Sequence, residues 1–265
     1  MECSEAMKRT SIQVFRAVVY ALTLREMQGR FGRARMGAMW TLFEPIAHLV
    51  ALTLIMVYIR GRTIPGIDYP VFLLVSLTPF LLYKNIALRM MLSMEANKAL
   101  FAYKQIQPFS SFMGRVVVEC VLSTTVFILA YLTLTWIGMS TTIAKPAEWV
   151  LMLFLGLFFA IGLGLVLAAI ATLMPESKFL IRLLFMPLYL ISGVIIPPSS
   201  YPSTWLPILM LNPFMNVLEL IRSNIFPYYR PADGTSLSYV LECTLVLLFL
   251  GMAAYRLLRY RMMAI

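Results

Sequence analysis

Few residues in this sequence have the type and spacing for bond chemistry. Its single histidine, His48, lies four residues after Glu44 in an apolar run, so the two side chains share one face of a helix. A covalent or metal-dependent enzyme needs further nucleophiles, bases or ligands beside such a pair. The G-x-x-x-x-G-K-[ST], G-x-S-x-G and H-E-x-x-H motifs are all absent. We therefore expect no catalytic residues, no metal site and no cofactor on this chain, and an outside energy source for any uphill transport.

Three glutamates lie within apolar runs, where an acid is costly unless it has a function or a partner. Glu44, Glu119 and Glu242 all lie near the ends of their runs, which argues against a proton relay through the middle of a bilayer. For Glu119 and Glu242, the preferred interpretation is snorkelling to the membrane interface. Glu44, followed by Pro45, is expected to face a helix bundle, either as a structural hydrogen-bond partner or as part of a substrate path.

The composition is that of a membrane protein with several spans. Of the 265 residues, 61% are hydrophobic and 13% are charged, and the mean hydropathy is +0.84; soluble domains have roughly 25% charged residues. The net charge of +10 comes from cations in short loops between apolar runs, which indicates contact with anionic lipid headgroups and not with nucleic acid. Cys3, Cys120 and Cys243 are too widely spaced to predict a disulfide framework or a metal site.

The hydropathy pattern predicts an all-α membrane protein with six transmembrane helices, since a span needs about 20 mainly apolar residues. An amphipathic helix over residues 12–24 precedes them; it is too polar to cross, so we expect it to lie along the membrane surface, with packing on a soluble partner as the alternative. A short helix is predicted near residues 96–107, ended by Pro108. The predicted spans are residues 40–59, 69–90, 115–137, 149–174, 179–196 and 238–258.

The distribution of positive charge predicts the orientation. Most of the 22 lysines and arginines fall on one side of the predicted spans, in the N-terminal segment, the loop after the second span and the C-terminal tail. The positive-inside rule therefore places both termini and the helix at 96–107 in the cytoplasm. The predicted organisation is a cytoplasmic segment with the interface helix (1–39), a six-span domain (40–258) and a cytoplasmic tail (259–265).

A proline-rich stretch precedes the last span. Residues 197–236 hold nearly half of the 15 prolines, which remove backbone donors and kink helices. Irregular backbone at membrane depth is tolerated where it is buried in protein or lines a wet cavity. If this stretch crossed the bilayer, the arginines of the tail would lie outside, against the positive-inside rule. We therefore predict a re-entrant helical element at about 197–227, with a loop lying on the outer membrane surface as the alternative.

Two stretches together resemble the membrane subunits of type-2 ABC exporters, in the branch that exports polysaccharides. The sequence at 30–45, RFGRARMGAMWTLFEP, is similar to that branch's basic-Gly-Trp-Pro approach to the first span. Trp205, the LNPF motif at 211–214 and Arg222 resemble its segment before the last span. The Glu-Pro pair and the following histidine look like the capsular polysaccharide exporters of Gram-negative bacteria, and the resemblance covers essentially the whole chain.

The resemblance implies ATP-driven export of a lipid-linked, anionic capsular polysaccharide across the bacterial inner membrane. It implies a homodimer of this chain with two cytosolic ATP-binding subunits, on which ATP and Mg²⁺ would be bound. It also implies delivery to a periplasmic polysaccharide co-polymerase and an outer-membrane polysaccharide export protein.

The same resemblance assigns three groups of site residues. Access for substrate and lipid anchor falls to Arg30, Arg33, Arg35, Trp40, Glu44 and His48, because guanidinium groups bind phosphate and carboxylate in a fork geometry. The residues assigned to the canal or periplasmic gate are Tyr201, Trp205, Asn212, Pro213, Arg222, Tyr228 and Tyr229. The four aromatic rings in this group either contact sugars or form an interfacial belt. Coupling to the ATPase falls to Asn97, Lys98, Phe101, Tyr103 and Lys104.

Three alternatives stay open at the level of sequence. An O-antigen, teichoic-acid or drug exporter of the same superfamily would have a similar span plan. A membrane glycolipid transferase would need a constellation of acids or histidines at one membrane face, and a single histidine argues against it. A purely structural membrane scaffold is the third alternative, and the polar Glu44–His48 face argues modestly against it.

Overall fold

The structure, a computed structural model, describes residues 10–31, 37–59, 61, 64, 66–103 and 105–264. Within these ranges the chain is helical, apart from turns and one isolated bridge between Ile64 and Ile67. The α-helices are α1 (Ser11–Phe31), α2 (Gly37–Leu54), α3 (Tyr69–Met91), α4 (Ser93–Asn97), α5 (Pro108–Trp136), α6 (Pro146–Leu173), α7 (Ser177–Ile191), α8 (Leu206–Leu209), α9 (Pro213–Ile225) and α10 (Leu237–Ala264). A π-helical turn, Ile55–Ile59, extends α2, and 3-10 turns lie at Lys98–Ala102 and Pro198–Ser200.

Five helices are long and apolar enough to cross a membrane: α2 with its π turn, α3, α5, α6 and α10. The expected all-α membrane protein with several spans is thus confirmed, but six spans are not. The predicted span at 179–196 corresponds to α7, which has only 15 residues and contains Pro187. A helix of that length rises about 22 Å, less than the roughly 30 Å of a bilayer's hydrocarbon core.

Helix α3 forms the centre of the bundle. Every residue from Val71 to Phe80 is buried, and Tyr83, Ile86 and Met90 continue the buried surface. Helices α2, α5, α6, α7 and α9 contact it from different sides. The N-terminal half of α3 is mainly apolar on all faces, which is typical of such a position because no face of it needs to meet solvent.

Glycines on α6 allow close packing against two neighbours. A Cβ atom at Gly156 would lie 2.3 Å from the Tyr83 ring on α3, and one at Gly164 would lie 2.6 Å from the sulfur of Met90. On another side of α6, a Cβ atom at Gly162 would lie 2.9 Å from the backbone nitrogen of Leu248 on α10. These three glycines therefore bring α6 into direct contact with α3 and α10.

The segment between α3 and α5 differs from its prediction in two ways. The helix predicted at 96–107 is instead α4 (Ser93–Asn97) followed by a 3-10 turn (Lys98–Ala102). Pro108 does not end that helix but begins α5, seven residues before the predicted start of the span. Proline is favourable at the first helical position because its missing N–H would have no partner there.

Helix α1 divides its apolar residues between protein and surroundings. Leu22 is buried against α5, where a Cβ atom at Gly114 would lie 3.2 Å from that of Leu22. Ile12, Tyr20 and Leu24 remain exposed. The helix therefore lies along the outside of the bundle, with the N-terminal half of α5 beneath it.

Candidate functional site

A polar cleft of about 260 Å³ opens between α2, α3 and α5. Two of the residues predicted for substrate access line it from α2: Glu44, which is exposed, and His48, whose Nε2 lies 3.4 Å from the hydroxyl of Tyr189 on α7. A third, Arg30, reaches it from α1. The sequence interpretation missed the residues that α3 and α5 contribute, which include Lys84, Asn85, Arg89, Glu119 and Ser123.

Trp40, which was also predicted for substrate access, does not line this cleft. Trp40 is exposed on α2, against Phe43 with a ring-centroid separation of 5.8 Å. Arg33 and Arg35 lie outside the described residues. The structure thus brings together Arg30, Glu44 and His48, with both charge signs and an imidazole at one opening. Such a surface is suited to hold polar or anionic groups, and no cluster of metal-binding residues occurs in the part of the chain that the structure describes.

Glu119 does not snorkel, contrary to its sequence interpretation. Its side chain is only 5% exposed and forms an ion pair with Arg30 of α1, while Arg89 Nε of α3 lies 3.4 Å from its Oε1. Arg30 also lies 3.6 Å from Glu26, and Arg115 Nε lies 3.5 Å from that same carboxylate. These five residues form an ion-pair network that joins α1, α3 and α5. Near the end of an apolar run, Glu119 has the same sequence signal as a snorkelling acid, so only its partners distinguish the two.

The predicted ATPase-coupling residues divide into one internal and several outward-facing side chains. Asn97 is buried: its Nδ2 donates to Ser111 Oγ at 2.6 Å, and its Oδ1 accepts from Arg25 at 3.1 Å. It therefore holds α4 in place and offers no docking surface, which corrects its assignment. Lys98 and Tyr103 are exposed, and Phe101 is half-buried. Lys104 lies outside the described residues.

At the opposite end of the bundle, the LNPF motif at 211–214 forms the N-terminus of α9. Asn212 caps α9 by accepting from the backbone N–H of Phe214 at 3.0 Å, and its amide donates to Ser192 Oγ at 2.8 Å. Pro213 occupies the first helical position. These two residues, which were predicted for the gate, set the direction of α9 relative to the turn after α7.

The role predicted for Arg222 at the gate also needs correction, because its side chain is buried inside the protein. Its guanidinium donates to Glu219 Oε1 at 2.6 Å, to Ser76 Oγ at 2.9 Å and to the carbonyl oxygen of Gly193. Its Cζ also lies 4.5 Å from the ring centre of Phe72. Both members of the ion pair are fully buried. Arg222 therefore joins α9 to α3 and to the turn after α7, and it does not face a canal.

Glu219 extends this buried pair to the loop before α10. It accepts from the Tyr229 hydroxyl at 2.7 Å and from the backbone N–H of Ala232 at 2.9 Å. Burial raises the pKa of Tyr229 above its usual value, so the phenol stays protonated and keeps donating. The sequence signal for the pair was the three-residue spacing of Glu219 and Arg222 on one helix. The other hydrogen-bond partners of the pair are distant from it in the sequence, so the sequence alone could not predict them.

Of the predicted gate aromatics, two are fully available for contact. Tyr228 is 95% exposed and Trp205 is 65% exposed. Tyr201 is half-buried, and Tyr229 is held by Glu219. Ile208 and Leu211 are also exposed near Trp205, so the segment around α8 presents an apolar surface.

Comparison with known proteins agrees with this architecture over nearly the whole chain. Residues 17–226 match the family described as ABC-2 type transporter. The chain is 36% identical to the polysialic acid transport protein KpsM of Escherichia coli, over 94% of this chain and 96% of that protein. It is 27% identical to the capsule polysaccharide export inner-membrane protein CtrC of Neisseria meningitidis serogroup B (92% and 91% covered) and 24% identical to its counterpart BexB of Haemophilus influenzae (92% of each). A family match over most of the chain, five apolar helices able to span a membrane and a full-length relative above 30% identity lead to one conclusion: the chain belongs to the ABC-2 type transporter family, as a membrane permease subunit.

Proposed function

We propose that this chain is the membrane subunit of a transporter that exports lipid-linked capsular polysaccharide across the bacterial inner membrane. The observation that carries the proposal is the 36% identity, over 94% of the chain, to a protein named for polysialic acid transport. Two further relatives are named as capsule polysaccharide export inner-membrane proteins. The cleft between α2, α3 and α5 supports it, because an anionic polymer end needs cations such as Arg30, Lys84 and Arg89 where it enters.

The energy is proposed to come from two ATP-binding subunits bound to a homodimer of this chain. The exposed Lys98 and Tyr103, next to α4, are the proposed contact with those subunits. The ion pair between Glu95 of α4 and Lys178 at the start of α7 would connect that contact to the membrane helices. A periplasmic polysaccharide co-polymerase and an outer-membrane export protein are the proposed receivers of the polymer.

The path of the cargo is proposed to run between two groups of residues. Arg30, Glu44 and His48, together with Arg33 and Arg35, would receive the lipid-linked end. The exposed rings of Trp205 and Tyr228 would contact sugar faces at the exit, since aromatic rings combine an apolar face with a rigid shape.

The proposed topology has six spans and places both termini in the cytoplasm. α7 and the buried turn at 192–197 would together form a short fifth span. Helices α8 and α9 would form the re-entrant element, and α1 would lie at the inner interface with Ile12 and Leu24 towards lipid. The ring of Tyr255, near the end of α10, lies 5.9 Å from that of Phe109 at the start of α5. This contact supports placing α4 and the C-terminal end of α10 on the same side of the membrane.

Single-cysteine labelling tests this topology. In a variant without Cys3, Cys120 and Cys243, we expect Ser203→Cys and Arg230→Cys, on either side of α8 and α9, to react with a membrane-impermeant maleimide in intact spheroplasts. Lys98→Cys is the control and should react only after the membrane is opened. If Ser203→Cys and Arg230→Cys label from opposite sides, the re-entrant element is wrong and the stretch crosses the bilayer.

Deletion of this chain in its own cell tests the function. We expect loss of surface polysaccharide and accumulation of lipid-linked polymer in the cytoplasm, because synthesis continues while export stops. Chemical analysis of the accumulated polymer identifies the cargo, and re-expression of the chain should restore the surface level. Accumulation of O-antigen or teichoic acid would assign the chain to another branch, and unchanged surface polymer would refute export.

A further inference from the structure

A second polar cavity, which no predicted site included, lies where α1 meets α4 and α5. Its volume is about 290 Å³, and the helix ends around it contribute side chains from four directions. The polar residues that line it are Arg25, Glu26, Arg30, Arg89, Asn97, Ser111 and Arg115. Arg30 and Arg89 border both this basic cavity and the cleft described above.

The basic cavity holds more positive than negative charge. Four guanidinium groups line it, against the single carboxylate of Glu26, and Glu119 behind them supplies one more. Arg25 donates a hydrogen bond to the neutral amide of Asn97, and Arg115 donates to the backbone carbonyl of Arg89 at 2.5 Å. The four guanidinium groups therefore exceed the two carboxylates by two charges, and Arg25 has no ion-pair partner among the described residues. Partly buried cations in this state are costly unless an anion joins them.

Two donors in this cluster form no hydrogen bond, although Arg115 Nε lies 3.5 Å from the Glu26 carboxylate. The Nε atoms of Arg30 and Arg115 are buried and have no hydrogen-bond partner among the described residues. The side chain of Arg115 is 7% exposed and that of Arg30 is 11% exposed, so water access is limited. A buried N–H without an acceptor costs free energy, and a bound ligand with several acceptor oxygens removes that cost.

We propose that the basic cavity binds a phosphate group. Phosphate carries negative charge and several acceptor oxygens, and guanidinium groups bind it through two parallel hydrogen bonds. The headgroup of an anionic phospholipid is the first source, because α1 exposes Ile12, Tyr20 and Leu24 beside the cavity as a helix at a membrane interface does. Soluble phosphate is the second source.

Occupancy of the basic cavity has a structural consequence. Arg25 joins the cavity to Asn97, and Asn97 joins the start of α4 to Ser111 of α5. A bound phosphate therefore tightens the junction of α1, α4 and α5. This binding site depends on neither the identity of the exported cargo nor the proposed export function.

Thermal unfolding of the full chain in detergent micelles tests the proposal. Phosphatidylglycerol added to the micelles should raise the unfolding temperature, because a ligand that binds only the folded state stabilises it. Phosphatidylcholine, whose choline cancels the phosphate charge, should have little effect. The double variant Arg25→Gln/Arg89→Gln should weaken the apparent affinity about tenfold or more, since it removes two charge-assisted contacts.

Two single variants separate binding from general damage. Arg16→Gln removes the same charge from an exposed position of α1 away from the cavity and should bind as the wild type does. Glu26→Gln removes the competing carboxylate and should bind phosphatidylglycerol more tightly, which loss of structure would not produce. If sodium phosphate in the buffer also raises the unfolding temperature, soluble phosphate is the source of the bound group. Equal affinities of wild type, the double variant and Glu26→Gln, or no effect of either ligand, would overturn the proposal.

Discussion

Replacing Arg222 with methionine is expected to lower the free energy of unfolding by about 3–5 kcal/mol, because the change leaves a buried carboxylate without its cation. The carboxylate is that of Glu219, and both side chains are fully buried. The substitution also leaves Ser76 Oγ and the Gly193 carbonyl without the guanidinium donors they have in the native structure. Thermal or denaturant unfolding of the detergent-solubilised protein measures the loss.

A double-mutant cycle assigns that loss to the ion pair. The combined variant Arg222→Met/Glu219→Met should cost less than the sum of the two single variants, since it leaves no isolated buried charge. Arg230→Met removes an arginine from an exposed position in the neighbouring loop and should change stability little. Additive single effects, or a cost for Arg222→Met as small as for Arg230→Met, would mean that the pair does not hold this end of the bundle together.

Replacing Gly162 with leucine is expected to separate α6 from α10 and to destabilise the protein by about 1–3 kcal/mol or more. A Cβ atom at this position would already lie 2.9 Å from the backbone nitrogen of Leu248 and 3.0 Å from the Cβ of Leu247. Backbone atoms of a long helix cannot turn aside as a flexible side chain can, so the whole contact must open. Yield of folded protein and the unfolding temperature in detergent report the effect.

Gly29 provides the matched control for this substitution. It lies within α1, and a Cβ atom there would meet nothing within 4 Å. Gly29→Ala should therefore be neutral, or stabilising by up to about 1 kcal/mol through higher helix propensity. Normal folding of Gly162→Leu would show that α6 and α10 are further apart than in this structure.

The helices that could be predicted are those whose apolar residues continue without interruption. The span predicted at 69–90 corresponds to α3 within one residue, and that at 149–174 begins three residues after the start of α6. The predicted start of the third span is too late, because the first turn of α5 holds Ser110 and Ser111, which are polar in sequence but buried by tertiary partners. Hydropathy measures transfer to lipid and takes no account of partners in the protein.

The same limit explains the errors at the sites. Asn97 and Arg222 are polar residues near helix ends, and Glu119 lies near the start of its predicted span, so sequence offers surface roles for all three. Each is buried because partners from other helices complete its hydrogen bonds: Ser111 and Arg25 for Asn97, Arg30 for Glu119, and Ser76 and Gly193 for Arg222.

The sequence by itself determined that the chain is helical, that it crosses a membrane several times, and that it resembles polysaccharide exporters, because these properties depend on composition, on the length of apolar runs and on short local motifs. Only the tertiary structure decided which charges are partnered, which glycines contact a neighbouring backbone, and where four guanidinium groups converge on two carboxylates. Ion pairs and cavities depend on distances between residues far apart in the chain. Arg222 and Ser76, 146 positions apart, are 2.9 Å from each other only because α3 and α9 pack together.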